Sequence, residues 1–531
     1  MSHILKRPLK LIDLAVIILI LLFFASLLWI NFHGQVWYNH DMWYDAYIAR
    51  LMSEQHTFFP EGWLFGNQYY IVATSVLAAF IYSLAHNTFI AMAFASSCMI
   101  VFVILSFIYL LRSLDIDIIN GNGKIGILCL IGGGVIGNSA ARDFEGLQLL
   151  YTMCSYYSSY LIVAFFCLGV YFRLRVGRKV NSAVMALSIL LAFGIGMNSL
   201  REMLLLIIPL ICLCGLGILL DLKNQHIRLF QSLFSRKNIY VALLSIANLL
   251  GYIFCKALSI PQQTIIGEQA GLVSTIKQCL RLLGFRVFQD GLSFFPLGII
   301  SIILLSIVVC SVISILKERK TNNLSFAILL FVISFIGVFI VGIFIIHVRS
   351  VYFFIYFPLV ALSLIYLLES AGERSSKVFS VAILLISVLC YCYNFIPDFR
   401  YYRDNNRICK EFSEEIAASG IQCIYCHTFT SPIVVQYTDR VIMGSVWFSD
   451  EKDGSFLTPV KYLNTDWTFD EANVKNCLIA LSNHSIKHLE ENYSQEFTDS
   501  FFNQISLVNK LSTSSETIYL YKPKDPASLF Q

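Results

Sequence analysis

With 57% of its 531 residues hydrophobic and only 14% charged, the chain carries more apolar surface than a soluble fold of this length can bury. Its formal net charge of +4 comes from short basic loops between apolar stretches, which gives no footing for a nucleic-acid partner. About a dozen apolar stretches of roughly 17 to 25 residues run from Leu11 to Ile396, after which the chain is polar to Gln531.

The first stretch, Met1–Asn31, has the basic start and apolar run of a signal peptide. The run is too long and no small-residue cleavage site follows, so it reads as an uncleaved anchor. Lys6, Arg7 and Lys10 place its start in the cytoplasm. Asp13, one turn into the apolar run, is expected to face the other helices or to sit near the interface. The clusters Arg173–Lys179, Lys223–Lys237, Lys317–Lys320 and Arg374–Lys377 mark further cytoplasmic turns. Residues 31–68, 141–155, the turn at Arg201 and residues 259–293 then lie outside. Between the first outer loop and the turn at Arg112–Lys124 there are two apolar stretches, Tyr69–Ala85 and Phe89–Leu111, where parity allows one crossing. Tyr69–Ala85 is therefore expected to be re-entrant or to lie against the outer leaflet, giving about 11 crossings; the alternative puts the Arg112–Lys124 turn outside.

The first outer loop opens with His40-Asp41-Met42-Trp43-Tyr44-Asp45-Ala46-Tyr47 and closes with Phe59-Pro60-Glu61-Gly62-Trp63 and Gly66-Asn67-Gln68-Tyr69-Tyr70. Ala46, Ala49 and Met52 continue at helical spacing, so Asp41 falls at the start of a short helix on the membrane surface. A capping role accounts for an aspartate there without chemistry. Asp45, one turn on, reads either as a solvated helix face or as an acceptor-positioning group.

This layout resembles the GT-C superfamily of membrane glycosyltransferases, which includes the protein O-mannosyltransferases and the enzymes that add aminoarabinose to lipid A. Those families place an acid, usually Asp-Glu, after the first membrane helix, then a helix containing Tyr-Ala, a Pro and a Tyr-rich entry into the next apolar segment. Here Asp41-Met42 replaces Asp-Glu, so only the first acid carries over; the likeness covers about the first 160 residues and one later motif. It implies that Asp41 is the catalytic base, with His40 and Tyr44 beside it on the acceptor side. Such an inverting transfer from a lipid phosphate needs one carboxylate to take the acceptor's proton. It also carries over Asp143, in the second outer loop, as a further acid; Arg142 beside it offers an ordinary surface pair instead.

Arg201, between two apolar stretches with almost no polar linker, is forced to the outer interface. His347-Val348-Arg349-Ser350-Val351-Tyr352, with Pro358 following, resembles the Arg-Tyr then Pro pattern at the start of a late GT-C helix, where the Arg binds donor phosphate. By that resemblance Arg349 and Tyr352 join Arg201 at the donor phosphate, and His347 contacts substrate. The planar fork of Arg suits phosphate, although interfacial snorkelling also places Arg at helix ends. Between these motifs, Leu272–Phe288 has apolar residues at helical spacing with Lys277, Arg281 and Arg286 between them. It is expected to form an amphipathic outer-surface helix that gates a lipid carrier or covers the bundle.

Asp115-Ile116-Asp117 looks like a metal-binding pair but falls on the cytoplasmic side, and no metal or cofactor is expected. Gly132-Gly133-Gly134 reads as a helix-packing stripe. The expected architecture is an α-helical polytopic membrane domain over residues 1–396 and a small extracytoplasmic α/β domain over 397–531, in a plasma or inner membrane. In the C-terminal part, Cys423–Cys426, Ile433–Tyr437, Cys477–Leu481 and Ser515–Tyr521 read as strands, and Glu411–Ser419 and Ile486–Glu491 as helices. Cys409, Cys423, Cys426 and Cys477 fall in the expected outer domain, where cysteines can pair as disulfides in no pattern the spacing sets, and Cys423 with Cys426 has the spacing of a redox pair. Expected partners are a polyprenyl-phosphate sugar donor, a glycan, lipid or protein acceptor, and membrane lipid. A flippase of lipid-linked sugars or an envelope polysaccharide polymerase would use similar residues.

Overall fold

A computed structural model of the chain describes residues 11–33, 40–61, 63–66, 68–119, 121–141, 155, 157–225, 233–261, 271–282, 285–288, 291–294, 296–318, 322–418, 420–421, 423–427, 442–451, 454–459, 471–512 and 517–530. Among these, six helical stretches are long and apolar enough to cross a membrane: Leu11–His33, Thr88–Ser113, Ser158–Arg175, Arg236–Ala257, Asn323–Phe344 and Ser350–Ser370. Shorter apolar helices fill the spaces between them. The protein is a mostly helical integral membrane protein with a small sheet region near its C-terminus.

The chain enters through α1 (Leu11–His33), passes a short α2 (His40–Glu54) and α3 (Thr74–Ala85), and returns through α4 (Thr88–Ser113). The Asn87 side chain caps α4 by accepting from Ile90 N–H at 2.9 Å, which fixes the sharp turn out of α3. α5 (Gly123–Ala141) begins with Lys124, whose Nζ lies 3.0 Å from Asp13 Oδ1 at the start of α1. Lys124 also donates to the carbonyls of Ile119 and Gly121. Asp13 is thus answered by a specific cation, and the Arg112–Lys124 turn lies at the end of the bundle where α1 begins. Arg178, after α6 (Ser158–Arg175), pairs with Asp115 at that same end, and Arg173 donates to Ser113. α1 and α4 span the two ends. α3 has 12 residues, about 18 Å of helix against the roughly 30 Å of a hydrocarbon core, and packs beside α2 and α4.

α7 (Ser182–Asn198) runs back from the Arg178 end, and its Asn181 cap accepts from Ala183 N–H. A five-residue π-helix, Met203–Ile207, leads into α8 (Ile208–Gln225), followed by α9 (Arg236–Ala257). α7 and α9 pack tightly at Gly196 and Gly251, where an added methyl would collide with the Asn248 and Phe193 carbonyls. Gly132 is buried, and no atom of the described residues lies within 4 Å of where its Cβ would stand.

The amphipathic stretch is only partly helical. α10 spans Leu272–Leu282, and Phe285–Phe288 (β1) pairs antiparallel with Gly291–Phe294 (β2). Phe285, Val287 and Phe288 are good strand formers, which favours a strand over a continued helix here. α11 (Pro296–Glu318), α12 (Asn323–Phe344), a 3-10 turn at Ser350–Phe353 and α13 (Tyr356–Ser370) continue the apolar bundle.

α14 runs unbroken from Glu373 to Ala418, so the change from apolar to polar sequence near residue 396 falls inside one helix, and the helix expected at Glu411–Ser419 is its end. The sheet beyond it has the order β5-β4-β3-β6-β8-β7, from β3 (Cys423–His427), β4 (Ile442–Phe448), β5 (Leu457–Pro459), β6 (Cys477–Ser482), β7 (Ile505–Ser512) and β8 (Thr517–Pro523). β3 is parallel to β4 and β6, whereas β8 is antiparallel to β6 and β7. Helices α15 (Glu471–Lys475), α16 (Asn483–Asn492) and α17 (Gln495–Asn503) lie between strands. The strand expected at Ile433–Tyr437 lies outside the described residues. The strands bury both faces. Cys423, Tyr425, Cys477 and Ile479 join Leu489 and Phe501 in the domain's own core, whereas the alternate residues Ile424, Cys426, Leu478, Ala480, Ile518 and Leu520 belong to the continuous core of the bundle, together with Ile416 of α14 and the buried side of α2.

Candidate functional site

The residues that converge do so at the end of the bundle opposite the Asp13–Lys124 pair. Asn198, the last residue of α7, fastens the segment that leads into α3. Its backbone carbonyl accepts from Tyr69 N–H at 3.0 Å, its Oδ1 from Ile71 and Val72 N–H at 2.7 and 3.1 Å, and its Nδ2 donates to Val72 O at 2.9 Å. Gln68 is thereby held beside the turn that follows. Its Oε1 accepts from Arg201 Nη1 and from the buried Tyr160 hydroxyl, both at 3.1 Å, and Tyr160 also bonds Ser199 Oγ at 2.9 Å.

The half-buried Arg201 guanidinium lies 5.4 Å from the Tyr157 ring centroid and 5.1 Å from that of Tyr352, within cation–π range of both. Tyr157 itself meets Tyr352 edge-on at 6.0 Å and Phe354 at 5.5 Å. Four segments far apart in the chain therefore build one aromatic-walled cationic site: the segment leading into α3, the start of α6, the turn after α7 and the turn before α13.

Of the residues expected at a donor phosphate, Arg201 and Tyr352 come together. Arg349 is exposed and stands on the same turn as Tyr352, where its carbonyl accepts from Tyr352 N–H at 3.0 Å. His347 Nδ1 lies 3.0 Å from Ser274 Oγ of α10. Ser350 N–H donates to Gln278 Oε1 of α10 at 3.1 Å, which fixes this turn from behind.

On the acid side, Asp41 occupies the first turn of α2, as does His40, and their side chains lie outside the described residues. Asp143, with Arg142, lies outside them altogether. Asp45 is not on a solvated face: it is 1% exposed, next to Tyr44, whose buried ring packs edge-on to Trp63 at 5.9 Å. Nor does α2 lie open on the surface, since residues 44–49 are all buried, and burial pushes the Tyr47 phenol up from its ordinary range. The reason is tertiary: α3 and α4 pack on α2, and Tyr47 lies within electrostatic reach of Cys423 at the start of β3.

Asp115 and Asp117, discounted above as a metal pair, sit in an ordinary turn: Asp115 meets Arg178, and Asp117 Oδ1 accepts from Ile119 N–H. Among the described residues no cluster of three His, Cys, Asp or Glu side chains could hold a metal ion. Cys423, Cys426 and Cys477 are unbridged and buried in neighbouring strands, and burial raises the Cys426 thiol and pushes Cys477 up to about 12, the opposite of a reactive redox pair.

Sequence reasoning missed Gln68, Tyr157 and Tyr160, although tyrosines grouped at helix ends carry that signal. It also missed Glu202, fully buried beside Arg201 with neither carboxylate oxygen hydrogen-bonded among the described residues, immediately before the π-helix.

No protein-family model matches the chain. No curated protein matches it either. Among solved structures it is similar to ArnT from Cupriavidus metallidurans, both in the apo state and bound to undecaprenyl phosphate. In each case the identity is 10% and the TM-score 0.49, over 94% of this chain and 97% of that one. A likeness at that level assigns no chemistry to this chain.

Proposed function

We propose that this protein is a GT-C-type membrane glycosyltransferase that takes a sugar from a polyprenyl-phosphate donor and transfers it, with inversion, to a cell-envelope or secreted acceptor on the outer face of the membrane. The observation that carries the reading is Arg201, held against Tyr157 and Tyr352 and bonded to Gln68 at one end of the bundle. A guanidinium fixed in this way offers a planar fork to a phosphate at membrane-interface depth, where a lipid headgroup resides.

In this reading the acceptor oxygen attacks the anomeric carbon while Asp41 takes its proton; the bond from that carbon to the phosphate oxygen breaks, and the lipid phosphate leaves with the electron pair. Arg201, with Arg349 on the Tyr352 turn, stabilises the charge that grows on the leaving phosphate, so its effect is larger in the transition state than in the ground state. His40, Tyr44 and His347 are the acceptor-side candidates, with Asp45 and Asp143 as further acids of the catalytic set; Asp45 and Tyr44 would act from beneath, because both are buried. The basic-loop pattern puts this end outside, with the N-terminus cytoplasmic. Clustering at one end, rather than at mid-depth, favours transfer over lipid-linked sugar transport.

The test is sugar transfer by purified protein in lipid nanodiscs, with radiolabelled polyprenyl-phosphate hexoses and envelope extract, comparing wild type with Asp41→Asn. Transfer lost in the variant while donor binding survives supports the reading. Labelled lipid crossing a reconstituted bilayer with no donor consumed sinks it.

A further inference from the structure

α10 is amphipathic with its faces reversed relative to a helix that covers a protein core. Thr275 and Gln278, one turn apart, are 1% and 9% exposed, whereas Leu272, Val273 and Ile276 are open to the outside, Val273 at 66%. The buried polar side is fastened to the end of α12 and the turn after it. Gly271 N–H donates to Gly342 O at 3.1 Å, Thr275 fills the space that Gly342 leaves open, Ser274 bonds His347, and Gln278 bonds Ser350 N–H. At this joint α12 ends in three more exposed apolar residues, Phe344, Ile345 and Ile346. Lys277 and Arg349 are exposed beside them.

We propose that this apolar side of α10, together with the Phe344–Ile346 turn, is a seat in the membrane leaflet at the site end of the bundle, occupied by anionic phospholipid. Its apolar residues lie among acyl chains and Lys277 meets headgroup phosphate, the charge complement expected of an interfacial helix. Because the polar side of the same helix holds Ser350 and His347, the seat sets the position of the turn that carries Arg349 and Tyr352. This second consequence, an influence on donor binding, rests on the reading of that turn as a donor-phosphate site; the seat itself does not.

The test places photoreactive p-benzoylphenylalanine at Val273, Ile276 or Gln278 of the full chain in one-protein nanodiscs containing radiolabelled phosphatidylglycerol and phosphatidylcholine. Light-driven labelling by phospholipid is expected at 273 and 276 and not at 278, with a preference for phosphatidylglycerol of about fivefold that falls toward one in Lys277→Gln. Cross-linking of 273 and 276 to a second copy in liposomes, or no lipid adduct at either position, overturns the proposal, and so does displacement of the adduct by polyprenyl phosphate, which would make the surface a carrier groove. Where transfer activity is measurable, Val273→Ser with Ile276→Ser should raise the donor KM severalfold with kcat kept. An unchanged KM with lipid labelling intact would overturn the coupling and leave the seat standing. Absence of any transfer activity would count against the enzyme reading alone, since the lipid adduct is read without it.

Discussion

The guanidinium of Arg201 stands 5.1 Å from the ring centroid of Tyr352, which joins the turn after α7 to the turn before α13 at the end of the bundle opposite Asp13 and Lys124. Neither residue determines the site alone: Gln68, fastened by Asn198, orients the guanidinium, and Tyr157 walls the other side.

Arg201→Lys keeps the charge and loses the planar fork and the stacking. Transfer should fall by about 10- to 100-fold, the range expected when a charge-assisted bond worth roughly 1.5–3 kcal/mol is removed. Kinetics on the purified variant, with thermal unfolding as a control for folding, would check this. Wild-type transfer in Arg201→Lys would remove Arg201 from the donor site.

Gln68→Leu should weaken donor binding without touching the chemistry, because it releases the guanidinium and removes one partner from the buried Tyr160 hydroxyl. A cost of about 1–3 kcal/mol for leaving such a group unsatisfied should appear in thermal stability as well. Measured KM should rise more than kcat falls.

Asp13 and Lys124 form a pair only 17% and 6% exposed. Lys124→Met removes the cation and the donor to two carbonyls, so it should destabilise by about 3 kcal/mol or more. Asp13→Asn should cost less, and the double variant less than the sum. A double-mutant cycle in detergent unfolding reads this, and simple additivity would show that the two side chains do not interact.

Gly196→Ala should prevent the close approach of α7 and α9, at a cost of about 1–3 kcal/mol in overpacking. Folded yield and unfolding temperature report it. Because α7 ends in Asn198, transfer should drop with stability.

The buried Cys477 thiol, raised to about 12, makes a signed pH prediction. The unfolded thiol ionises near 8.5, so between there and about 12 the unfolded state binds fewer protons than the folded one, and stability falls as pH rises. Below pH 8 the contribution is fully present. Pulse alkylation should find Cys477 protected at pH 8 and progressively exposed above pH 10, whereas rapid labelling of folded protein at pH 8 would show the strand to be open.

The amino-acid sequence by itself determined the membrane class, the positions of the apolar helices, the strands at Cys423 and Cys477, and the candidate arginines, because hydropathy, periodicity and charge at helix ends are local properties. Tertiary structure alone decided that Asp13 meets Lys124, that α10 turns its polar side inward, and that Phe285–Phe288 pairs with Gly291–Phe294. It also decided that Gln68, Tyr157, Tyr160, Arg201 and Tyr352 share one site. Each of these depends on which distant surface competes for a side chain, and no spacing within a segment records that. Asp45 shows the limit most plainly: its helical position was legible, but its burial was set by α3 and α4 packing on α2.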